Sequence, residues 1–177
     1  MLDFNRNYFE LFGLPPAFAL SRESLEHAYR DIQAEIHPDR FAHAGEAEQR
    51  LAMQWTARVN EAYQTLRQPF ERARYLLELQ GIDAMDARNT AMPADFLVQQ
   101  MTWRERLEEA RAAKDLVALQ RMEAETRTQA EQLERQLAEL LDERHDYLQA
   151  AEVLRKYRFL DKLLLEIDAA MEAIDIP

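Results

Sequence analysis

Apolar side chains recur at three- and four-residue spacing in one segment after another, and proline or glycine stands at most of the breaks between segments. That pattern commits the chain to amphipathic helices. Leu25, Tyr29, Ile32 and Ile36 form one stripe, with Ser21 as N-cap and Glu23 in the first turn. Pro38 stops this helix, because the residue before a proline is pushed out of α geometry. After a loop from His37 to about Gly45, a second helix is expected to bury Leu51, Trp55, Val59, Ala62 and Leu66. Gln68-Pro69 starts a short helix that carries Tyr75, Leu76, Leu77 and Leu79 and ends at Gly81. A brief apolar segment, Tyr8-Phe9-Glu10-Leu11-Phe12, precedes all of these and is closed by Gly13 and Pro15-Pro16.

Residues 82–92 lose the periodicity and read as a linker. A helix then runs from Pro93 to about Ala113. Asp115 caps a longer one, reaching about Arg144, with Leu116, Leu119, Leu133, Leu137 and Leu140 as its stripe. The last, from about Tyr147, carries Val153, Tyr157, Leu160, Leu164, Ile167 and Met171. Three helices of such lengths suit an antiparallel bundle. The expected architecture is therefore all-α in two parts, residues 1–79 and 93–177, with residues 80–92 between them.

The charge balance excludes several partners. The 177 residues carry a net charge of -11, with 9 basic and 12 acidic side chains in residues 1–79 and 13 and 21 in residues 80–177. Neither part is a basic patch, so nucleic acid is not an expected partner. Anionic lipid headgroups would repel such a surface, and no apolar run is long enough to span a bilayer. The absence of cysteine removes disulfides, thiolate zinc sites and a cysteine nucleophile. The first residues lack a charged segment followed by an apolar one, so a secretion signal is not expected and the cytoplasm is the default location.

One tripeptide stands out. His37-Pro38-Asp39 lies on the loop joining the two stripes, with Arg40-Phe41 directly after it. Alone it would occur by chance in about one chain of this length in a hundred, and a His-Pro-Asp after a helix could be simply a cap and a turn. Its chemistry allows more. Pro38 fixes the loop, Asp39 is a short acceptor able to pair with an arginine of a partner, and His37 can donate from either ring nitrogen. With Val59-Asn60-Glu61-Ala62-Tyr63-Gln64-Thr65-Leu66 some twenty residues on, residues 4 to about 79 resemble a J-domain. The resemblance implies docking on a DnaK-class ATPase chaperone and stimulation of its ATPase, through His37, Pro38, Asp39 and Arg40 together with Arg30 on the preceding helix. That helix departs from the usual basic face: Arg22 and Arg30 stand against Glu23, Glu26, Asp31 and Glu35, and Ala34 replaces a residue that is often basic. Steering toward an acidic groove should be modest.

Further residues narrow the resemblance to the HscB family of co-chaperones. They are Tyr8-Phe9-Glu10-Leu11-Phe12-Gly13-Leu14, Pro69, Arg72-Ala73, Tyr75-Leu76-Leu77-Glu78-Leu79-Gln80-Gly81, and Leu154-Arg155-Lys156-Tyr157-Arg158-Phe159-Leu160-Asp161-Lys162-Leu163. This implies an HscA-like chaperone as partner and an IscU-like iron–sulfur scaffold as cargo, with no catalysis by the chain itself. Projection of the helix from Pro93 places Phe96, Trp103, Leu107 and Ala110 in one arc, while Leu97, Val98 and Met101 lie about 100–200° around. Phe159 falls about 100° from the centre of the last helix's stripe. In a three-helix bundle so broad an apolar arc can be all core, or it can be a docking patch rimmed by carboxylates. The resemblance implies docking, because Leu97, Val98, Met101, Glu105, Glu109 and Phe159 match positions where HscB proteins contact the scaffold. Thr102 stands where an acidic residue is usual.

Other chemistry finds little support. His27, His37, His43 and His145 do not make a ligand set by spacing, and no metal or cofactor is expected. Carboxylate pairs such as Glu108-Glu109 and Asp142-Glu143 are ordinary solvated helix faces. Two further readings stay open: a J-domain co-chaperone serving a different client, and a helical enzyme of unknown type.

Overall fold

In the computed structural model, which describes residues 3–41, 43–86 and 92–175 with the side chains of Pro38 and Asp175 left out, every regular element among the described residues is helical. By Cα proximity the chain divides into two compact units, Met1–Leu76 and Leu77–Pro177.

In the first unit, α1 (Tyr8–Leu11) is one turn, opened by a capping box. Asn7 Oδ1 accepts from the Glu10 amide at 2.9 Å, and the Glu10 carboxylate accepts from the Asn7 amide at 2.9 Å. Such reciprocal bonds satisfy two helix-end amides that otherwise have no partner. Ser21 caps α2 (Arg22–Ile36), its hydroxyl accepting from the Ser24 amide at 3.2 Å. A 3₁₀ turn, Pro38–Phe41, follows, and α3 (Glu46–Arg67) packs back along α2. Pro69 opens α4 (Pro69–Leu79), and Gly81 closes it at φ +74°. The core of this unit collects Phe9, Phe18, Leu25, Ala52, Trp55, Val59, Ala62, Leu66 and Ala73. Arg72 ties its loops together: Nε donates to the Phe18 carbonyl at 2.8 Å and Nη1 to the Leu66 carbonyl at 2.7 Å.

Leu51 was expected in that core and is not there. It is 47% exposed, and Ala52 takes the buried position. Both lie on the Trp55 side of α3, at i−4 and i−3, so periodicity does not separate them. Leu51 lines a shallow cavity with Phe4, Ile36, Phe41 and Trp55. Leu79, also expected to bury, is 40% exposed in the last turn of α4.

In the second unit, α5 (Ala94–Ala113), α6 (Leu116–Ala138) and α7 (Tyr147–Asp175) form the antiparallel three-helix bundle. Pro93 is the N-cap of α5, and Lys114 closes that helix in the left-handed region. Asp115 caps α6, its carboxylate accepting from the Ala118 amide at 2.9 Å. The segment expected to be helical as far as Arg144 changes winding: α6 ends at Ala138 and a π-helical turn, Glu139–Glu143, carries the chain to the bend before α7. Phe96, Trp103, Leu107, Leu119, Met122, Leu137, Leu140, Leu154, Leu160, Leu163 and Ile167 are buried. Leu116, Leu133 and Leu164, placed in the stripes by spacing, are only half-buried at the stripe edges. Tyr157 carries its hydroxyl into the bundle and donates to Glu134 at 2.7 Å. Of the expected linker, residues 87–91 lie outside the described residues. Ala84, also within it, is buried, and its carbonyl accepts from Arg155 Nη1 at 3.4 Å.

Candidate functional site

Two surfaces carry the residues singled out by sequence, one in each unit. The first is the end of the α2–α3 hairpin. The turn that begins at Pro38 is tightened by the Arg40 amide, which donates to the His37 carbonyl at 2.9 Å. The Asp39 amide donates to His37 Nδ1 at 3.3 Å, and the same ring nitrogen lies 3.6 Å from the Asp39 carboxylate. The side chain of Asp39 is nonetheless 90% exposed and that of His37 59%. The pair is held in one geometry by short-range bonds while its polar atoms stay open to a partner, which is how an acceptor for an external guanidinium should be presented.

Arg40 has a second use. Its Nη1 donates to the Ala34 carbonyl at 2.9 Å. The last carbonyls of α2 lack amide partners within the helix, and a cation there is favoured by the helix dipole. Arg40 thus fastens the loop to the helix it leaves. Arg30 is less available than its position suggests. Its Nη2 lies 3.7 Å from Glu26, which also pairs with Arg22 at 2.9 Å, and His27 pairs with Asp31 at 2.9 Å. The two arginines of α2 thus share one carboxylate of their own helix.

Behind the loop, Asn60 Oδ1 accepts from the Tyr29 hydroxyl at 2.9 Å and from Gln33 Nε2 at 3.1 Å. Tyr29 also stacks on Tyr63, with centroids 4.0 Å apart. This network joins α2 to α3 just before the loop and sets where the loop is held. Sequence reasoning gave Asn60 no role; its signal was an amide on the buried edge of an apolar stripe, which needs a partner there.

The second surface lies on α5. Leu97 is 46% exposed, Val98 63% and Met101 63%, whereas Phe96 and Trp103 on the same helix are buried. Glu105 and Glu109 are exposed beside them. Three large apolar residues left in solvent within five positions are not core. Phe159 has a divided role. It is half-buried, stacks on Trp103 at 5.6 Å and meets Phe96 edge-on at 5.8 Å, so it is part bundle and part surface. Thr102 folds back on its own helix, its hydroxyl donating to the Val98 carbonyl at 3.2 Å, and adds nothing acidic to the rim. Among the described residues no group of three or more His, Asp or Glu side chains could hold a metal ion, and no helix is long and apolar enough to cross a membrane.

Comparison with known proteins covers both units. Residues 7–75 match the family model described as DnaJ domain, and residues 92–168 match that described as HSCB C-terminal oligomerisation domain. The co-chaperone protein HscB homolog of Aromatoleum aromaticum is 47% identical over 174 residues, 98% of either chain. Among solved structures, chaperone HscB from Vibrio cholerae is 38% identical at a TM-score of 0.84, covering 96% of this chain and 99% of that one. Human co-chaperone protein HscB is 28% identical at a TM-score of 0.86, covering 94% and 83%.

Proposed function

The chain belongs to the HscB family of J-domain co-chaperones, and we propose that it is an adaptor that recruits an IscU-like iron–sulfur scaffold to an HscA-like chaperone of the DnaK class and stimulates that chaperone's ATPase during iron–sulfur protein maturation. The observation that carries this reading is the pairing of two different exposed surfaces on two separate compact units. One is a polar loop with Asp39 turned outward; the other is an apolar patch of Leu97, Val98 and Met101 beside carboxylates.

In this reading His37, Pro38, Asp39 and Arg40 contact the chaperone, with Arg30 at the edge of the contact. Asp39 accepts from a cation of the chaperone, and the α2–α3 hairpin acts as a lever of fixed geometry. Leu97, Val98, Met101 and the exposed part of Phe159 anchor the scaffold, and Glu105 and Glu109 form the rim. Residues 1–79 act as the J-domain and 93–177 as the scaffold-binding domain. The chain performs no turnover and takes no cofactor, and it works in the cytoplasm. Its contribution is two-point attachment, which raises the local concentration of scaffold at the chaperone.

The test is single-turnover ATP hydrolysis by the chaperone with the chain alone, the scaffold alone and both. Stimulation by both should clearly exceed the product of the separate effects. Stimulation by the chain that is indifferent to a scaffold it does not bind would point instead to a J-domain co-chaperone with another client.

A further inference from the structure

Around α5 the surface is banded by charge. Moving away from buried Phe96 at 100° per residue, Arg104 comes first, then Leu97 and Met101, then Glu105, and Glu109 last. Arg104 flanks the apolar strip on one side and Glu105 and Glu109 on the other, while Glu108, at about 120°, continues the line of the strip toward the C-terminal end of α5 and pairs with Arg111 at 3.4 Å. On α7, Arg155, Arg158, Phe159 and Lys162 recur at i, i+3, i+4 and i+7 and share one face. The two helices, with Ala84–Asp86 and Met92, border an open cavity of about 330 Å³ whose lining includes Arg104, Arg155, Arg158, Lys162 and Phe159. Asp86 is the one carboxylate among its described lining residues.

Four cations against one carboxylate is an inversion of local charge, since residues 80–177 hold 13 basic and 21 acidic side chains. Arg158 and Asp86 each have interactions within the fold, so the excess of charge rests on Arg104, Arg155 and Lys162. Arg104 and Lys162 are exposed and have no ion pair among the described residues. Arg155 reaches the Ala84 carbonyl at 3.4 Å through Nη1, while its Nε is buried without a partner. Gathering like charges raises their mutual energy, and an anion placed among them lowers it.

We infer that this basic cavity receives an Asp or Glu side chain of the scaffold protein docked on the Leu97 and Met101 strip. The inference rests on the docking reading above. Continuity favours a carboxylate on that same partner, because Arg104, which lines the cavity, lies within about 20° of Leu97 around α5. Opposite charges at the two edges of one apolar strip then fix which way round the scaffold sits, which an apolar strip alone does not.

Lys162 makes the test clean. The chain has three lysines: Lys114 ends α5, Lys156 pairs with Glu152 at 3.1 Å, and Lys162 lines the cavity. A carbodiimide joins a lysine amine to a carboxylate with no spacer between them. Treating the full chain with a purified IscU-like scaffold should give a one-to-one adduct whose linkage maps to Lys162 and a scaffold Asp or Glu. Lys162→Arg should bind as wild type and lose the adduct. Lys162→Glu and Arg104→Glu should each weaken binding about tenfold at low salt, a loss that shrinks at about 0.3 M salt, with the melting temperature unmoved. Tight binding without a Lys162 linkage, and with affinity indifferent to both reversals, overturns the inference. Leu97→Ala/Met101→Ala separates the two failures: if that variant also binds normally, the docking reading itself has failed. If it loses binding while the reversals do not, only the basic cavity is rejected.

Discussion

The hairpin loop and the α5 patch are both exposed, yet they are built by opposite rules. The loop is polar and made of consecutive residues, and its shape is set by bonds that reach at most six residues, from the Asp39 amide to His37 and from Arg40 to the Ala34 carbonyl. The patch is apolar and drawn from α5 and α7, and it lies on a part of α5 that leaves Leu97, Val98 and Met101 exposed. A loop of the first kind can be altered by one atom without disturbing the fold. A patch of the second kind shares a helix with the core, and at Phe159 it shares the side chain as well.

The sharpest way to break this comparison is a double dissociation. Asp39→Asn removes the charge while keeping size and the turn. It should bring chaperone stimulation to baseline, a loss of about a hundredfold, on the scale of a lost charge-assisted contact at a transition state. Scaffold affinity and the circular dichroism spectrum should stay as they are. Stimulation retained by the folded variant would detach the loop from the function assigned to it.

Next in size are the anchors. Leu97→Ala and Met101→Ala should each cost about 1–3 kcal/mol of scaffold binding and barely move the melting temperature, because both side chains are exposed in the free protein. Phe159→Ala should differ from them. Its ring packs on Trp103 and Phe96, so truncation should also destabilise the bundle by about 2 kcal/mol, less than full burial would imply. Calorimetry beside thermal melts separates the two patterns. A Phe159→Ala variant with an unchanged melt would make the patch purely a surface.

The same contrast explains what the sequence could and could not reveal. Ser21, Pro38, Pro69, Gly81 and Asp115 each punctuate a helix by a short-range rule, and each stands at the expected boundary. The His37–Asp39 loop was legible for that reason. Burial was less so, since it depends on which neighbour happens to be opposite. Leu51 and Ala52 are equally placed on their stripe, yet Leu51 is 47% exposed and Ala52 is buried. Leu97 and Phe96 are adjacent on an apolar helix, and periodicity left open whether both were core. The π-helical turn at Glu139–Glu143 breaks the 3.6-residue period without a proline or glycine to announce it. The basic cavity was hidden in a net acidic unit because charge was counted along the chain and not around one opening.

A smaller effect concerns charge on α2. Arg30→Ala should reduce chaperone affinity by no more than about threefold, since Arg30 is an exposed cation on a helix whose carboxylates outnumber its arginines. The salt dependence of stimulation should be correspondingly shallow. A steep fall between low and high salt would show that these cations exchange Glu26 for the partner.

The smallest effect separates the two units by pH. Tyr8, in the first unit, has a pKa raised above the usual phenol value, chiefly by burial and then by the Glu61 carboxylate beside it and its hydrogen bond, with Arg58 acting in the opposite direction. A phenol whose folded pKa exceeds its unfolded one binds its proton more tightly when folded. Its contribution to stability is therefore complete below pH about 10 and is lost as the pH rises through the folded value. Each unit carries one of the two tryptophans, Trp55 stacked on Phe4 in the first and Trp103 stacked on Phe159 in the second, so fluorescence of Trp103→Phe and Trp55→Phe variants reports one unit at a time. The denaturation midpoint read from Trp55 should fall more steeply above pH 10 than it does when Tyr8→Phe is added. That substitution keeps the ring stacked on Tyr75, 4.4 Å away, and removes only the titrating hydroxyl. The midpoint read from Trp103 should follow the same course with or without Tyr8→Phe. If Tyr8→Phe shifted both midpoints together, the two units would be unfolding as one, and the separation on which two-point attachment depends would be thermodynamically absent.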